Sequence, residues 1–597
     1  MHIDLLESTP NLAKMFADQA HRLGDAPLFW AKREGTWHSI SWAEAHKQAT
    51  ALARALIGSG VRPGDRVAIV GENRPEWAIG DLAIVNAGAI SVPGYTTNTV
   101  EDHRHILSNS GAKGVIVSTR PLAEKVIAAA AQVPGCEFVI AIDPPASAPA
   151  RPRVESWADA LARGAARTDD VAAIAASLKR DDACCILHTS GTGGVPKGVT
   201  LTHANIIHNG IGAYHLLEPL GLDGTVFLSI LPLSHSYEHT CGFYFPLGID
   251  AQIYYAESVD AFAANMVETK PTIMTAVPRL YEIMHQRIVH NVERQGGLSA
   301  KLFHAAVRLG RKKFENPRSL TLGERILDTI VEKLVRDKVR ARFGGRLKAF
   351  VSGGGPLNPE IGHFFTALGI RILQGYGQTE SSPVVSANPP GRVKMETVGP
   401  PIKGVEVKIA GDGEICVRGG LVMKGYWNDP AATAETIKDG WLHTGDIGEV
   451  DADGYIKITD RKKDFIKNSG GDMIAPARVE GALTLEPEIV QAMVVGDRRP
   501  HLVAVLVPRT EFIESWSKQH GKPKDLAALA GDKDFHAALD KAVRRANDKV
   551  TTIEKVRRFI IARDGFTVAN GLMTPTLKVK RHKVREIYGA ELDRLYG

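Results

Sequence analysis

The sequence predicts an α/β fold with largely parallel sheets, and two observations lead to this prediction. Short runs rich in Val, Ile and Leu recur along the first two thirds of the chain, without the strict alternation of half-exposed strands. Helical patterns, such as the one at residues 40–59, lie between several of these runs. The 597 residues exceed what one core supports, so several domains are expected. The predicted strands span Asp65–Gly71, Gly114–Ser118, Phe138–Asp143, Cys184–Ser190, Thr225–Ser234, Gln252–Ala256, Thr272–Val277 and Lys348–Ser352.

Changes in composition and in residue pattern along the chain indicate the domain organisation. Residues 281–342 form a long, charged, amphipathic helical region, and residues 144–153 form a connector rich in Pro and Ala. From residue 398 to residue 460 short β runs alternate with Gly and Asp, and Asp453-Gly454 is a strong hairpin signal. The predicted parts are a large, doubly wound N-terminal domain with a small β-rich subdomain (residues 1–459), a hinge (460–463) and a smaller, mobile α+β C-terminal domain (464–597).

The composition is that of an ordinary globular protein. Hydrophobic residues make up 44% of the chain and charged residues 23%, and the formal net charge is +6. No run approaches the roughly 20 apolar residues of a membrane span, and the N-terminus lacks the apolar segment of a signal peptide. The five cysteines form no CxxC pair and fit a reducing compartment. These features predict a cytoplasmic protein, with peripheral contact at the inner face of a membrane left open.

Positive charge concentrates near the C-terminus. Residues 541–597 contain 14 Lys/Arg and 6 Asp/Glu, a local excess of +8. No nucleic-acid motif and no stacking aromatic residues accompany these charges, so we expect no nucleic-acid partner. An anionic small molecule or an anionic membrane surface fits such a segment better.

A phosphate-binding loop is predicted within HTSGTGGVPKGVTLTHAN, residues 188–205. Backbone N–H groups freed by glycine, hydroxyl groups and the Lys197 ammonium can surround a pair of phosphates. The spacing differs from that of a Walker A loop because Pro196 precedes Lys197 and Gly198 follows it. The alternative is a purely structural role, as a Gly-rich turn between a strand and a helix. The predicted phosphate ligands are Thr189, Ser190, Gly191, Thr192, Gly193, Gly194 and Lys197.

Three further clusters follow in the chain. The loops VSGGGPL (residues 351–357) and QGYGQTE (residues 374–380) come where strands end, and strand ends of a doubly wound sheet gather at one edge. Tyr376 can stack on a base, and Glu380 can hold a magnesium ion between phosphate oxygens. In HTGDIGEV the carboxylate of Asp446 can bind a ribose diol, although a single Asp at such a place is by itself only a turn residue.

Together and in this order, these motifs resemble those of the adenylate-forming superfamily, which includes acyl-CoA synthetases, luciferase-like enzymes and the adenylation domains of peptide synthetases. The resemblance continues through DRKKD (residues 460–464) and NGLMTPTLKVKR (residues 570–581). His188 stands where the family has an aromatic residue, and Gly193 stands where it has a threonine. We expect these two departures to alter the mobility of the loop without removing activity.

The resemblance implies ATP, Mg²⁺ and CoA as cofactor and co-substrates. It assigns catalysis to Lys578, Glu380 and His235, magnesium to Glu380 and Thr189, and the hinge to Lys463. Leu577 replaces the glycine that usually precedes the catalytic lysine. Beyond the phosphate loop, the implied ATP- and AMP-binding residues are Gly353, Gly354, Gly355, Gln374, Gly375, Tyr376, Gly377, Thr379, Asp446 and Arg461. The implied contacts of the CoA pantetheine arm are Ser469, Gly470 and Gly471.

Elementary chemistry also favours a lysine such as Lys578. Attack of a carboxylate on the α-phosphate brings two anions together, and positioned cations stabilise the charge that develops. A surface lysine in a basic tail is the alternative interpretation of the same residue.

Two segments, LPLSHSYEH (231–239) and AVPRLYEIM (276–284), resemble the long-chain fatty acyl-CoA synthetases in particular. The implied reaction is ATP-dependent conversion of a long-chain fatty acid to acyl-AMP with release of pyrophosphate, followed by transfer to CoA. His235 could equally be a structural histidine. His239 occupies a position where some long-chain enzymes carry a tryptophan that gates the acyl tunnel, so that gate is absent or built differently.

Several alternatives share this fold. They are a fatty acyl-AMP ligase that does not use CoA, a medium-chain or aryl acid–CoA ligase, and an oxygenase of the luciferase type. An adenylation domain with a carrier domain behind it is disfavoured because 19 residues follow Lys578. A binding protein without activity would be expected to lose Glu380 or Lys578. The preferred chain length and the oligomeric state, with a dimer among the options, are left open by the sequence.

Overall fold

The computed structural model describes residues 2–189, 196–462, 466–470, 472–574 and 577–597. Contacts divide the chain into two compact units. The first unit comprises Met1–Lys408, Cys416–Thr444 and Val450–Lys457, and the second comprises Ile409–Ile415, Gly445–Glu449 and Ile458–Gly597. None of the helices in the described ranges is both long enough and apolar enough to cross a membrane.

The α-helices are numbered in chain order. They are α1 His2–Ser8, α2 Leu12–Leu23, α3 Trp42–Gly58, α4 Pro75–Asn86, α5 Val100–Ser110, α6 Arg120–Ala130, α7 Trp157–Ala165, α8 Val171–Ser177, α9 His203–Leu217, α10 Phe245–Gly248, α11 Phe262–Thr269, α12 Pro278–Gln295, α13 Gly297–Glu315, α14 Leu322–Val331, α15 Asp337–Arg342, α16 Pro359–Ala367, α17 Pro430–Thr436, α18 Pro476–Thr484, α19 Thr510–His520, α20 Leu526–Leu529, α21 Lys533–Asn547 and α22 Arg581–Arg594. Two π-helical segments span Glu238–Tyr244 and Glu332–Arg336, and short 3₁₀ turns span Glu218–Leu220, Thr379–Ser381 and Thr552–Glu554.

The strands are numbered in the same way. They are β1 Pro27–Arg33, β2 Thr36–Ser41, β3 Arg66–Val70, β4 Ile90–Gly94, β5 Gly114–Val117, β6 Phe138–Ala141, β7 Arg153–Ser156, β8 Ala183–Thr189, β9 Lys197–Thr202, β10 Val226–Ser229, β11 Gln252–Tyr255, β12 Ile273–Ala276, β13 Ala349–Ser352, β14 Ile372–Gly377, β15 Val384–Ala387, β16 Val405–Ile409, β17 Glu414–Gly419, β18 Gly425–Tyr426, β19 Ile437–Lys438, β20 Trp441–Val450, β21 Ile456–Arg461, β22 Ile466–Lys467, β23 Met473–Ile474, β24 Ile489–Val495, β25 Leu502–Pro508 and β26 Val556–Ile561.

Two eight-stranded sheets form the frame of the first unit. Their strand orders are β15-β14-β13-β12-β10-β11-β1-β2 and β18-β9-β8-β4-β3-β5-β6-β7. In both sheets the central strands pair in parallel. The antiparallel pairs lie toward the edges, at β1–β2 and β14–β15 in one sheet and at β8–β9 and β9–β18 in the other. The predicted α/β class is therefore confirmed.

Burial on both faces of the sheet explains why the sequences of these strands are continuous apolar runs. Along β3, Val67 and Ile69 pack into one core cluster, whereas Ala68 and Val70 pack into another. Because successive side chains of a strand point to opposite faces, both faces of this sheet must be apolar.

The second unit has the smaller α+β architecture that was expected. Its three-stranded sheet has the order β24-β25-β26, with an antiparallel and then a parallel pair. Every residue of the central strand β25 is buried, and alternate residues enter two different apolar clusters. Strands β16, β17, β19, β20 and β21 form a further sheet, in which Gly454, with φ of +82°, lies in the predicted turn between β20 and β21.

Several element ends differ from the predictions by one or more residues, and two of these differences have a clear physical cause. The helix expected at residues 40–59 begins at Trp42, because Ile40 and Ser41 complete β2 and the Ser41 hydroxyl accepts the N–H of Glu44 as an N-cap. The strand expected at Thr225–Ser234 ends at Ser229; the chain then turns through Pro232, which has no N–H to give to a sheet.

Candidate active site

The two ends of the predicted phosphate loop lie side by side in an antiparallel hairpin. Thr189 is the last residue of β8 and pairs in register with Lys197, the first residue of β9. A strand therefore follows the loop, where a Walker A loop would lead into a helix, so the alternative of a turn between strand and helix is wrong. The predicted ligands Ser190, Gly191, Thr192, Gly193 and Gly194 lie outside the described residues.

Helix α5 holds both ends of this loop. His105 Nε2 lies 3.0 Å from the carbonyl oxygen of Pro196, and one turn later Asn109 Oδ1 lies 3.0 Å from His188 Nε2. Burial, followed by the nearby charge of His105, lowers the pKa of His188 to about 4, so His188 is neutral at physiological pH. The residue that replaces the family's aromatic side chain is thus a buried anchor for one end of the loop.

The edges of β13 and β14 come together as predicted. Ser352 at the end of β13 pairs in register with Gln374 in β14. Ser352 Oγ and Gln374 Oε1 are both buried and find no hydrogen-bond partner among the described residues. Buried polar atoms are almost always satisfied, so these two indicate a place that a ligand or water completes.

Residues 374–380 were predicted to form a loop, but strand β14 continues into this segment. Gln374, Gly375, Tyr376 and Gly377 belong to the strand itself, because β15 pairs with it, with Tyr376 opposite Ser386. A Cβ atom at Gly377 would lie only 1.7 Å from the carbonyl oxygen of Pro383, so only glycine allows this approach.

Gly353, Gly354 and Gly355 follow β13 directly. A side chain at Gly353 would meet the ring of Tyr237 at 2.9 Å, and the Tyr237 hydroxyl donates a 2.8 Å hydrogen bond to the carbonyl oxygen of Val351. The glycine-rich turn therefore packs against the segment that carries His235.

His235 is half-buried and lies just before a π-helical segment. Its Nδ1 accepts the backbone N–H of Tyr237 at 3.2 Å, so the neutral ring carries its proton on Nε2. π-Helical turns are uncommon and often occur at functional sites.

Contacts within the first unit connect the predicted catalytic residues. Ser236 Oγ lies 3.1 Å from Thr379 Oγ1, which ties the His235 segment to the turn that bears Glu380. The hydroxyl of Tyr426 donates a 2.9 Å hydrogen bond to Glu380 Oε1.

Tyr426 also reaches the phosphate loop. The ammonium of Lys197 lies 5.1 Å from the centre of the Tyr426 ring, within the range of a cation–π contact. Burial, followed by the charge of Glu380, raises the pKa of Tyr426, so its hydroxyl remains a donor. The structure therefore gathers the end of the loop, Glu380 and the segment of His235 in one region.

The residues present in this region fit a magnesium ion. Mg²⁺ prefers hard oxygen ligands and is usually held by one or two carboxylates together with substrate phosphates. Glu380 offers a half-buried carboxylate and Thr189 offers a hydroxyl group at the end of the loop.

The carboxyl group of Glu238, at the start of the π-helical segment, is fully buried. Burial raises the pKa of Glu238 to about 7, although Ser229 Oγ and Thr275 Oγ1 donate to its two oxygens at 2.6 and 2.5 Å. These two donors come from β10 and β12, so Glu238 holds the π-helical segment against the ends of the central strands.

His239 forms a buried pair with Asp81. Its Nε2 lies 3.3 Å from Asp81 Oδ2, at ion-pair distance but without hydrogen-bond alignment. Asp81 also accepts hydrogen bonds from Ser91 Oγ (2.5 Å) and from the Tyr244 hydroxyl (2.7 Å). Burial alone would lower the pKa of His239, but the charge of Asp81 raises it to about 10. The ring also packs edge-on against Trp77, 5.9 Å away.

Three predicted residues lie near one another in the second unit. Asp446 in β20 and Arg461 in β21 form an ion pair with a distance of 3.3 Å between Arg461 Nε and Asp446 Oδ1. Lys578 is an exposed residue, but the groups around its ammonium desolvate it. That desolvation, followed by the charge of Arg461, lowers the pKa of Lys578 to about 8, and Asp446 opposes the shift.

The predicted CoA segment lies at a hairpin tip. Ser469 and Gly470 follow β22, and Asn468 and Asp472 close the turn through a 2.9 Å hydrogen bond between their side chains. Gly471 and the predicted hinge residue Lys463 lie outside the described residues.

Sequence reasoning missed Tyr426 and the pair Asp81–His239. Tyr426 lies in a two-residue strand, and its only local signal is the Gly-Tyr-Trp run in which it stands. Asp81 lies in the buried run 77–85 of α4, where every other residue is apolar or glycine, and a lone acidic residue in such a run is the signal that could have been used.

Comparison with known proteins comes from two directions. A family described as AMP-binding enzyme matches residues 16–427, and a family described as AMP-binding enzyme C-terminal domain matches residues 463–597. The long-chain-fatty-acid–CoA ligase of Mycobacterium bovis is 35% identical over 595 residues, which cover 98% of this chain and 97% of that protein. The peroxisomal long chain acyl-CoA synthetase 6 of Arabidopsis thaliana is 31% identical over 593 residues, which cover 94% and 82%.

A solved structure supports the fold. The A domain of a carboxylic acid reductase from Segniliparus rugosus, in complex with AMP and a co-purified carboxylic acid, superposes with a TM-score of 0.79. The match covers 99% of this chain and 96% of that one at 21% sequence identity, so it bears on the architecture alone.

Proposed function

This chain belongs to the AMP-binding enzymes, and from that premise we infer that it is a long-chain-fatty-acid–CoA ligase. It activates a fatty acid with ATP to an acyl adenylate, releases pyrophosphate, and then transfers the acyl group to CoA with release of AMP. The observation that carries this conclusion is identity of 30% or more to such ligases over nearly the whole chain.

The first unit is proposed to bind the triphosphate and the reacting carboxylate. The phosphates would lie along the β8–β9 loop, with Lys197 at one end as a positive charge. Thr189 and Glu380 would hold Mg²⁺, which when bound neutralises phosphate charge as the carboxylate attacks the α-phosphate. Tyr426, as donor to Glu380, fixes the direction of that carboxylate.

Nucleotide recognition is proposed to use one residue of β14 and one residue of β20. Tyr376 would stack on the adenine beside the turn of Gly353 to Gly355. Asp446 would accept hydrogen bonds from the ribose hydroxyls, and its ion pair with Arg461 orients its carboxylate for this role.

Two further groups act on the reacting atoms in this proposal. The Nε2–H of His235 would donate a hydrogen bond to an oxygen of the carboxylate or of a phosphate. Lys578 would stabilise the charge that develops on the α-phosphate during adenylation. Ser469, Gly470 and Gly471 would contact the pantetheine arm of CoA in the second half-reaction.

Chain length is the part of substrate choice that the sequence leaves open. An apolar tunnel gains ~0.8 kcal/mol for each methylene group it buries, which favours long acids until the tunnel is full. We therefore propose that specificity constants rise steadily from short to long unbranched acids.

Pyrophosphate release measured with a panel of carboxylic acids, with and without CoA, tests the function. A long-chain ligase should prefer palmitate-length acids over acetate, coumarate and amino acids, and should form the thioester only with CoA. Release that saturates without CoA, with no thioester formed when CoA is added, would instead identify an acyl-AMP ligase. A preference for aryl or short acids would contradict the long-chain assignment.

A further inference from the structure

Helix α14 carries an exposed apolar row on its outer side. Leu322, Ile326, Ile330 and Leu334 follow one another at intervals of four residues, with exposures of 78%, 61%, 44% and 47%. The last of them belongs to the π-helical segment that continues the helix. Residues at this spacing lie on one side of a helix, so we call these four residues the α14 row. Single exposed apolar residues are ordinary on protein surfaces, whereas a contiguous row indicates a surface that is covered in use.

The other side of α14 already has its packing partners. Asp328 and Val331 are buried, and Arg336 contacts the carboxylate of Asp328 at 2.7 Å. The start of the helix is fixed by a capping box in which Thr321 and Glu324 satisfy each other's backbone N–H groups. The row is therefore held outward by a well-anchored helix.

The segment that contains this row is strongly basic. Residues 297–342 hold 12 Lys/Arg and 5 Asp/Glu, an excess of +7 in a chain whose total is +6. All five acidic side chains are engaged in ion pairs within the segment: Glu315 with Arg311, Glu324 with Lys312, Asp328 with Arg336, Glu332 with Arg340, and Asp337 with Arg340. By contrast, the exposed side chains of Arg325 and Lys333, which flank the row, form no ion pair with any residue that the structure describes.

We propose that the α14 row and its flanking cations dock this enzyme on an anionic lipid surface. An apolar face bordered by basic side chains is the pattern of a helix that lies in the plane of a membrane interface. Arg325 and Lys333 meet lipid phosphates, while the four apolar side chains enter the boundary of the acyl region.

Charge and exposed apolar surface together favour an anionic membrane over a second copy of the chain or a nucleic acid as the partner of this face. A second copy of the chain, packed through the same face, would bring two segments of excess +7 together, which opposes a symmetric contact. A nucleic acid would use the cations but leave four exposed apolar side chains in water. A membrane with anionic lipids satisfies both features at once.

The basic C-terminal segment is the rival lipid-binding surface, and several of its cations are neutralised. Arg545 and Lys549 pair with Glu486, and Arg563 pairs with Glu591. Exposed cations without an ion pair to a described residue remain there at Lys541 and Arg557, which makes these two residues a matched control.

The test uses flotation of the full-length protein with vesicles of phosphatidylcholine containing about a quarter phosphatidylglycerol, at low and high salt. The wild type should float with these vesicles at low salt and much less at high salt or with pure phosphatidylcholine. Arg325→Gln/Lys333→Gln should weaken binding roughly 30-fold at low salt. Leu322→Ser/Ile326→Ser/Ile330→Ser should also lose binding and should do so at both salt concentrations.

Two matched controls accompany these variants. Lys541→Gln/Arg557→Gln removes the same charge from the other basic segment, and Ile587→Ser removes an apolar side chain with 51% exposure on α22. Both should bind as the wild type does, and all variants should keep wild-type adenylation of a soluble fatty acid. If the serine variant fails to fold, the charge variant, which changes only exposed side chains, decides alone.

Three results would overturn the proposal. The first is a wild-type protein that does not float with the anionic vesicles at low salt. The second is equal loss in the Lys541→Gln/Arg557→Gln control. The third is a change from dimer to monomer in the α14 variants with vesicle binding intact, which would make the row an interface between copies. None of these results depends on activity, so they are separable from a failure of the proposed function.

Discussion

The phenol of Tyr426 donates a 2.9 Å hydrogen bond to Glu380 Oε1, joining two residues that are 46 positions apart in the chain. β18, which carries Tyr426, pairs with β9 directly after the phosphate loop. The carboxylate proposed to hold magnesium is thus oriented by a strand that also borders the phosphate loop. This relationship leads to a graded prediction about adenylation.

Glu380→Ala should lower the rate of acyl-adenylate formation by ~10²–10³, because an electrostatic contact to the phosphates is lost. Tyr426→Phe keeps the carboxylate and removes one hydrogen bond to a charged group, so its rate should fall about tenfold. Pyrophosphate release with palmitate and no CoA measures both effects. Tyr455→Phe, which removes a buried hydroxyl bonded to the Arg392 carbonyl, is the control and should retain the wild-type rate. A Glu380→Ala enzyme with near wild-type release would refute the assignment.

The lowered pKa of Lys578 predicts an alkaline limit to the first half-reaction. The ammonium is charged below its pKa of about 8 and loses its charge as the pH rises through that value. The kcat/KM of adenylation, which reports ionisations of the free enzyme, should therefore fall above pH 8. Lys578→Arg, with a guanidinium that stays protonated, should move this limit upward even if its rate is lower. CoA is omitted so that its thiol does not titrate; an unchanged alkaline limb in Lys578→Arg would exclude this lysine as the titrating group.

The elements that follow from local signals were predictable, and those that depend on distant partners were not. Central strands such as β5 and β6 are buried along their whole length, so their apolar runs identify them. Gln374–Gly377 looked like a loop because its two glycines are local features, whereas the pairing of β15 that makes it a strand is not. His239 and Asp81 are 158 residues apart, and neither residue alone indicates an ion pair.

Leu577 adopts a φ of +60°, a conformation that favours glycine and that the family's usual glycine would adopt without strain. The side chain packs against an apolar cluster of the second unit, which offsets part of that strain. Leu577→Gly should therefore be more stable than Leu577→Ala by about 1 kcal/mol, because both lose the packing but only alanine keeps the strain. Urea unfolding of the full-length variants measures the difference. At Leu572, which does not have a positive φ, the usual order should hold, with glycine less stable than alanine; the same order at both positions would show that Leu577 is unstrained.

The buried pair of Asp81 and His239 predicts a specific loss of stability. Asp81→Asn leaves the histidine without its counter-charge and should lower the free energy of unfolding by about 3–5 kcal/mol, and adding His239→Gln should restore part of it. Since the pKa of His239 is raised in the folded state, its contribution is complete below the unfolded pKa of 6.5. That contribution is lost as the pH rises from there toward about 10. Thermal unfolding across this range should show a steeper alkaline decline for the wild type than for His239→Gln. Parallel curves would mean that the pair is not ionised.

The last prediction concerns the division of the two half-reactions at residues 460–463. Lys462, the described residue before the predicted hinge, is held within the second unit by an ion pair with Asp412 (2.6 Å) and by donating its N–H to the Gly445 carbonyl (2.8 Å). A change of backbone conformation just after it, at Lys463, could alter which groups reach the acyl carbonyl, since adenylation and thiol attack need different approaches to the same carbon. Lys463→Pro fixes φ near −65° and restricts the preceding residue, so it should retain much of the adenylation rate but lose most of the thioester formation.

Lys578→Ala should do the reverse when it is supplied with synthetic acyl-AMP, because its proposed role ends once the adenylate has formed. Lys463→Ala removes the same side chain as the proline variant but leaves the backbone free, so it should keep both steps. Pyrophosphate release and thioester formation from synthetic acyl-AMP measure the steps separately. If Lys463→Pro and Lys578→Ala each damage both steps equally, the two half-reactions share one arrangement and residue 463 is not a hinge. If Lys463→Ala reproduces the proline phenotype, the effect belongs to the lysine side chain and not to a backbone rotation.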